Sequence, residues 1–266
     1  MRKHLLSEMT WPEVRERVEA NCIAVLPVGS LEQHGKHLPL NVDYFLVEKV
    51  VHCVAESRED MVVLPTVVYA RSAHHLMYSG TISLQLETFV NVINDILISL
   101  AKHGFKKVAI INGHGGNRGA LSSAISKFQE IDIKHPLIVL ANYYSFGADK
   151  VKEIRDSGVG GMAHAGEYET SLSLYLQPDL VEMDRAVKRV PRSPIPEYIY
   201  ADLLGDSPIS MAVPYDCSNK TVWEYTFCES GVAGDPTVAS KEKGEKIFNY
   251  VVEDMHKFFD KLSEIE

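Results

Sequence analysis

Short apolar runs alternate with longer amphipathic stretches four times along this chain, with no linker between them. Few folds accommodate that pattern, because a run too short for a helix and apolar on nearly every residue must be covered on both faces. Residues 22–28, 61–64, 107–112 and 137–141 read as such strands. The segments 43–57, 86–103, 118–130 and 168–176 read as helices, and Gly104 stands at the C′ position of the second. Thr10-x-x-Glu13 with Pro12 in the first turn caps a short helix to about Ala20. Ile247, Val251, Met255, Phe258 and Leu262 form one stripe of a last helix over 237–262. The alternation predicts one α/β domain over residues 1–266, built on a mostly parallel sheet. The stretch 190–237, rich in Pro, Gly, Ser and Asp, is expected to lie over the surface.

A chain of 266 residues buries roughly three quarters of its unfolded surface and needs no disulfides. Cys22, Cys53, Cys217 and Cys228 form no CxxC pair and are expected as reduced thiols, Cys22 and Cys53 in the core. The formal charge of -9 argues against nucleic acid and against an anionic membrane, since both demand a basic face. The opening MRKHLLSEMTWPEV lacks a long apolar stretch, so no signal peptide or span is expected and a cytoplasmic location is the default.

In an α/β domain of this type, loops leaving the C-terminal ends of the strands build the site. Three motifs occupy such loops. VLPVGSLEQHGKHLPLNVD gathers Glu32, His34, His37 and Asp43 just past the first strand. In an extended segment Glu32 and His34, two residues apart, point to the same side and can reach one metal cluster. Asp43 begins a helix, where an N-capping role would equally account for it. His37, three residues beyond His34 and close to Pro39, is expected next to the site or at the surface.

NGHGGN places His114 in a flexible turn after the third strand. A phosphate cradle has the same outline, but no Lys-Ser/Thr pair and no GxGxxG accompanies it, so a nucleotide binder is weakly supported. HAGEYETS brings His164, Glu167 and Glu169 to a helix start, where acidic residues also favour the dipole. Positions 167 and 169 lie about 200° apart on a helix, so only one can face the site and the other is expected in solvent. Periodicity alone does not choose between them. No GxSxG and no cysteine in a Gly-rich polar setting supports nucleophilic catalysis. Met77 and Tyr78, in a loop that also holds the tandem His74-His75, are candidates to line a pocket or to dock on the body.

The segments TWPEV, LPVGSLEQHGKHLPLNVD, SGTISL, NGHGGN, HAGEYETSL with its following Pro-Asp, and ASKEKGEKI run almost end to end. In that order and at those intervals, they resemble the creatininase family of metal-dependent amidohydrolases. The resemblance implies a three-layer α/β/α fold and two adjacent divalent ions, Zn2+ first, Mn2+ or Fe2+ as alternatives. It implies that Glu32 and His114 bind one ion, His34 and Glu169 the other, and that Asp43 bridges them. It makes His164 a proton-transfer residue and the assembly a homo-oligomer, a hexamer above others.

The implied activity is hydrolysis of a C–N bond in a small amide. Hydrolysis of a C–C bond in a cyclic diketone, deformylation of a pyrimidine nucleotide intermediate and a peptidase activity are the family's other chemistries. Two departures count against creatinine itself. Creatininase has an acidic residue where this chain has Gly116, and tryptophans in segments that here hold Tyr143, Tyr144 and Gly160. The tryptophans of this chain are Trp11 and Trp223.

Overall fold

The computed structural model describes residues 3–191, 202–205 and 229–265. Cys217, Cys228, Trp223 and most of the stretch expected over the surface lie outside them. Four parallel strands, β1 (Ile23–Val28), β2 (Met61–Val63), β3 (Lys107–Asn112) and β4 (Leu137–Asn142), form the sheet in the order β2-β1-β3-β4. Every residue of β1, β2 and β3 is buried, which explains the apolar character of β1 and β2 and of the middle of β3, between Lys107 and Asn112.

The pleat sends alternate residues to opposite faces. Ile23, Val25, Ala109 and Ile111 join α2 (Val42–Glu56), α6 (Glu167–Leu176) and α7 (Lys241–Glu264) in one core. Ala24, Leu26, Val28, Val108 and Ile110 join α3 (Leu86–His103) and α4 (Arg118–Gln129) in the other. The result is the three-layer α/β/α sandwich. A short helix α1 (Trp11–Glu19) precedes β1, capped as expected by Thr10 and Glu13.

Some expectations differ from the structure. Helix α5 (Ala148–Ile154) and the antiparallel pair β5 (Met162–His164) and β6 (Ala233–Gly234) were not expected. They are too short to carry a periodic signal. β6 also brings part of the stretch expected at the surface into the interior, where Val232 and Ala233 are buried. Helix α7 starts at Lys241, not Thr237, because the Ser240 side chain accepts from the Lys243 N–H as its cap. Its buried stripe carries Phe259; Phe258 packs only partly against the core.

The strand order creates a reversal. From β1 the chain winds outward to β2, then crosses to β3 on the other side of β1. The crevice beyond the C-terminal ends of β1 and β3 is where such sheets bind ligands. Glu32 follows β1 and His114 follows β3, so the two nearest motifs open into it.

Candidate metal centre

Two glycines allow the loops to close on α2. A Cβ at Gly29, just past β1, would lie 2.2 Å from the Tyr44 Cα, and one at Gly113, just past β3, 2.4 Å from the Asp43 carbonyl. Only glycine lets both strand exits press on the first turn of α2. Asp43 lies inside that turn, with Asn41 in the capping position, so its buried carboxylate faces the crevice and not the helix end. The asparagines of NGHGGN hold the turn. Asn112 accepts from the His114 N–H and donates to its carbonyl, while Asn117 donates to the Gly29 carbonyl and accepts from the Arg71 N–H.

The five side chains singled out as ligands meet in this crevice, all of them buried. His114 Nδ1 is 3.0 Å from Asp43 Oδ2 and its Nε2 is 3.2 Å from Glu32 Oε2. His34 Nε2 is 3.2 Å from Asp43 Oδ1 and 3.8 Å from Glu169 Oε2. The donor atoms fall into overlapping triads: Glu32, Asp43 and His114; His34, Asp43 and Glu169; Glu32, His34 and His164. Asp43 belongs to the first two. His164 stands at the edge of the cluster, its Nδ1 3.8 Å from Glu32 Oε1.

Glu169 is therefore the glutamate that faces the cluster; its Oε2 also accepts from the Ala165 N–H at 2.5 Å. Glu167 is not in solvent as expected. It is fully buried on the opposite side of α6, paired with Lys243 and accepting from the Asp156 and Ser157 N–H groups. His37 is buried beside the site, with Nε2 3.0 Å from Thr170 Oγ1.

Sequence reasoning overlooked several residues here. Ser72 donates to Glu32 Oε2 at 2.5 Å, and His75 Nε2 lies 3.1 Å from Glu32 Oε1. Gln33 contacts both His75 and His164. The tandem His74-His75, unusual in a polar loop, was the available signal. His74 stacks on His114 with ring centroids 5.4 Å apart.

Three carboxylates stand this close, with imidazoles as their ion-pair partners among the described residues, and the proton affinities of several of these groups are strongly displaced. Burial disfavours the charged form of His34, but Asp43 and Glu169 override it and lift its pKa to about 9. Burial is likewise overridden at His114, where Glu32 and Asp43 hold the pKa well above the usual imidazole value. Burial would raise the Glu32 carboxyl, yet His114 and His75 hold it well below the ordinary range. Glu169 is pushed up to about 7, by burial first. Burial and then the neighbouring His34 and His75 push His164 well down, and burial with His75 and His114 brings His74 to about 3.

These residues fit divalent cations. Oxygen and imidazole donors about 3 Å apart match neighbouring ligands on one ion with bonds of about 2.0–2.2 Å. Glu32 Oε1 and Asp43 Oδ2 are buried and have no aligned hydrogen-bond donor, an arrangement costly unless a cation takes their lone pairs.

Comparison with known proteins agrees with this reading. The creatininase family, described as creatinine amidohydrolase, matches residues 7–259. The chain belongs to the creatininase family. It is 32% identical over 262 residues to the creatinine amidohydrolase of Pseudomonas putida, covering 93% of each chain. It is 30% identical over 240 residues to the 3-dehydro-scyllo-inosose hydrolase of Thermotoga maritima, covering 90% of this chain and 76% of that one. A solved structure of manganese creatininase superposes with a TM-score of 0.78 at 29% identity, over 99% of this chain and 100% of the other. A creatininase variant of zinc–zinc type superposes with a TM-score of 0.75 at 28% identity, over 100% of both chains. Fold and family make this chain a creatininase-family hydrolase with residues suited to bind metal.

Proposed function

We propose that this chain is a dinuclear metal-dependent hydrolase that cleaves a C–N bond in a small amide, cyclic amides included. The observation that carries the reading is one carboxylate, Asp43, shared between two buried triads that each add a glutamate and a histidine. Glu32, Asp43 and His114 would hold one ion, His34, Asp43 and Glu169 the other. Oxygen and nitrogen donors without thiolate suit Zn2+ and also Mn2+ or Fe2+. The manganese and zinc forms of creatininase support that range. When bound, the ions supply Lewis acidity, which lowers the pKa of water towards neutrality and polarises a carbonyl.

The chain's own residues supply position and protons. Glu32, His34 and Asp43 are buried beneath the crevice, so a substrate approaches from the side of His164, whose side chain keeps 16% exposure. His164 would carry a proton at Nδ1 to the departing nitrogen, a transfer worth about 10²–10⁴-fold.

A second reading follows from Gly116. A Cβ there would lie 2.3 Å from His114 Nε2 and 2.6 Å from His74, so the acidic residue of creatininase has no room. Together with the likeness to the inosose hydrolase, this favours C–C hydrolysis of a cyclic diketone as the alternative. His164 would then return the proton to carbon. Under either reading, residues 1–266 form one domain working as a cytoplasmic homo-oligomer, with a hexamer expected. Among the described residues no helix is long and apolar enough to cross a membrane.

Elemental analysis of the purified protein should find two divalent ions per chain, and Asp43→Ala should abolish both the ions and hydrolysis. Full metal content and full turnover in that variant would reject the proposal. A panel of cyclic amides and a cyclic diketone separates the two readings, since turnover of the diketone alone selects the second.

A further inference from the structure

Gln33 lies between Glu32 and His34 in sequence. Its carboxamide is fixed by a single unambiguous contact: Oε1 accepts from the Gly35 N–H at 2.9 Å, which the amide nitrogen cannot do. A notch in the backbone makes room for that oxygen. Gly35 and Gly231 both adopt positive φ, at 70° and 71°, and a Cβ at Gly231 would lie 2.1 Å from Gln33 Oε1. The Gln33 N–H donates to Thr81 Oγ1. The amide is 4% exposed and its orientation is set from three sides.

With the oxygen so placed, Nε2 points at two imidazoles. It is 2.9 Å from His75 Nδ1 and 3.0 Å from His164 Nε2. An amide nitrogen only donates, so His75 Nδ1 is the acceptor and its ring proton sits on Nε2, 3.1 Å from Glu32 Oε1. His164 Nε2 has a second neighbour, the Gln33 backbone carbonyl at 2.9 Å. One of these neighbours donates and the other accepts, so together they hold the His164 ring in place and select neither of its tautomers. Its Nδ1 is the atom directed at Glu32. The rings pack in series, His34 tilted against His164 with centroids 4.3 Å apart and His164 stacked on His75 at 4.5 Å, which leaves little freedom to flip.

We propose that Gln33 is a positioning residue whose carboxamide fixes the tautomer of His75, so that the Nε2–H of His75 is kept on the side of Glu32, while the same residue holds the His164 ring at the edge of the cluster. Orienting partners of this kind set which nitrogen of a histidine is available for chemistry. The consequence for function rests on the hydrolase reading above; the His75 tautomer itself does not.

The test begins with unaltered protein. Imidazole 1H–15N two-bond correlations on histidine-labelled protein, recorded metal-free and with Zn2+, report which nitrogen bears the proton, with His75→Gln and His164→Gln used only to assign the signals. Protonated Nε2 at His75 is expected, and protonated Nδ1 there overturns the proposal whatever the enzyme hydrolyses. Gln33→Glu then keeps the shape but can only accept, so the His75 proton should move to Nδ1 and kcat should fall about 10–100-fold with KM little changed. A wild-type kcat in Gln33→Glu would also overturn it, since a purely space-filling role tolerates the isostere. Absence of any hydrolase activity in wild type would fail the hydrolase reading, while the tautomer measurement still decides this one.

Discussion

At the residue scale, the candidate site depends on small side chains as much as on ligands. Gly113 permits a strand exit to lie against the Asp43 carbonyl, and a Cβ there would also lie 3.0 Å from the Val47 side chain. Backbone cannot yield as a flexible side chain would, so Gly113→Ala must separate β3 from α2. A loss of about 1–3 kcal/mol in stability is expected, with metal content reduced because His114 and Asp43 move apart. Urea unfolding and elemental analysis check both; unchanged values would mean that the contact relaxes at no cost. Of the candidate ligands, Glu32, His34 and His114 were legible by type and place past strand ends, whereas Asp43 could equally have capped a helix and Glu169 was separated from Glu167 by the family resemblance alone. Gln33, Ser72 and His75 were not legible. Ser72 and His75 enter the site through a loop with no periodicity, joined to the first motif by isolated bridges such as Leu31 to Ile82, and Gln33 sits within that motif without a metal-binding side chain to mark it. A tandem histidine marks such a loop as unusual without saying what it touches.

At the scale of elements, α6 serves two purposes on opposite faces. Glu169 looks into the crevice, and Glu167 is buried behind it against Lys243 of α7 and the backbone of residues 156 and 157. Lys243 also contacts Asp156 Oδ2 at 2.7 Å and the Val238 carbonyl at 2.6 Å, so one ammonium ties α7 to α6. Removing it strands a buried carboxylate. Lys243→Met is expected to cost about 3–5 kcal/mol, and Glu167→Gln in the same chain to restore part of that. Chemical denaturation of the two variants measures the coupling, and a loss below about 1 kcal/mol in Lys243→Met would show that the backbone N–H groups suffice. Here the sequence misled in an instructive way. Helical geometry correctly separated positions 167 and 169, but surface placement of the second glutamate presumed that no lysine 76 residues away would come to meet it. The long elements were legible because burial on both faces, or on one stripe, leaves a pattern; β5 and β6 owe their pairing to tertiary contact and leave none.

At the scale of the whole molecule, the centre joins loops after β1 and β3 to the first turns of α2 and α6, so occupancy by cations should bind the layers together. Without a cation, protons take that place. His34, at about 9 against an ordinary 6.5, contributes stability that is complete below pH 6.5 and disappears as pH rises through 9, and His114 acts in the same direction. Glu169, at about 7 against 4.5, loses its contribution earlier, between pH 4.5 and 7. His164, His74 and His37, all depressed, act in the opposite sense, but only below pH 6.5. Metal-free protein should therefore become less stable from pH 6.5 to 9. Cation binding needs those same nitrogens deprotonated, so affinity should rise over the same interval. An ion at a hundred times its dissociation constant adds about 2.7 kcal/mol, or roughly 5–10 °C for a domain of this size. The gap in melting temperature between protein with Mn2+ and protein with chelator should accordingly widen as pH increases from 6.5 to 9. Scanning calorimetry at several pH values measures it, and a gap that stays constant or narrows would mean that protons and cations do not compete for these side chains.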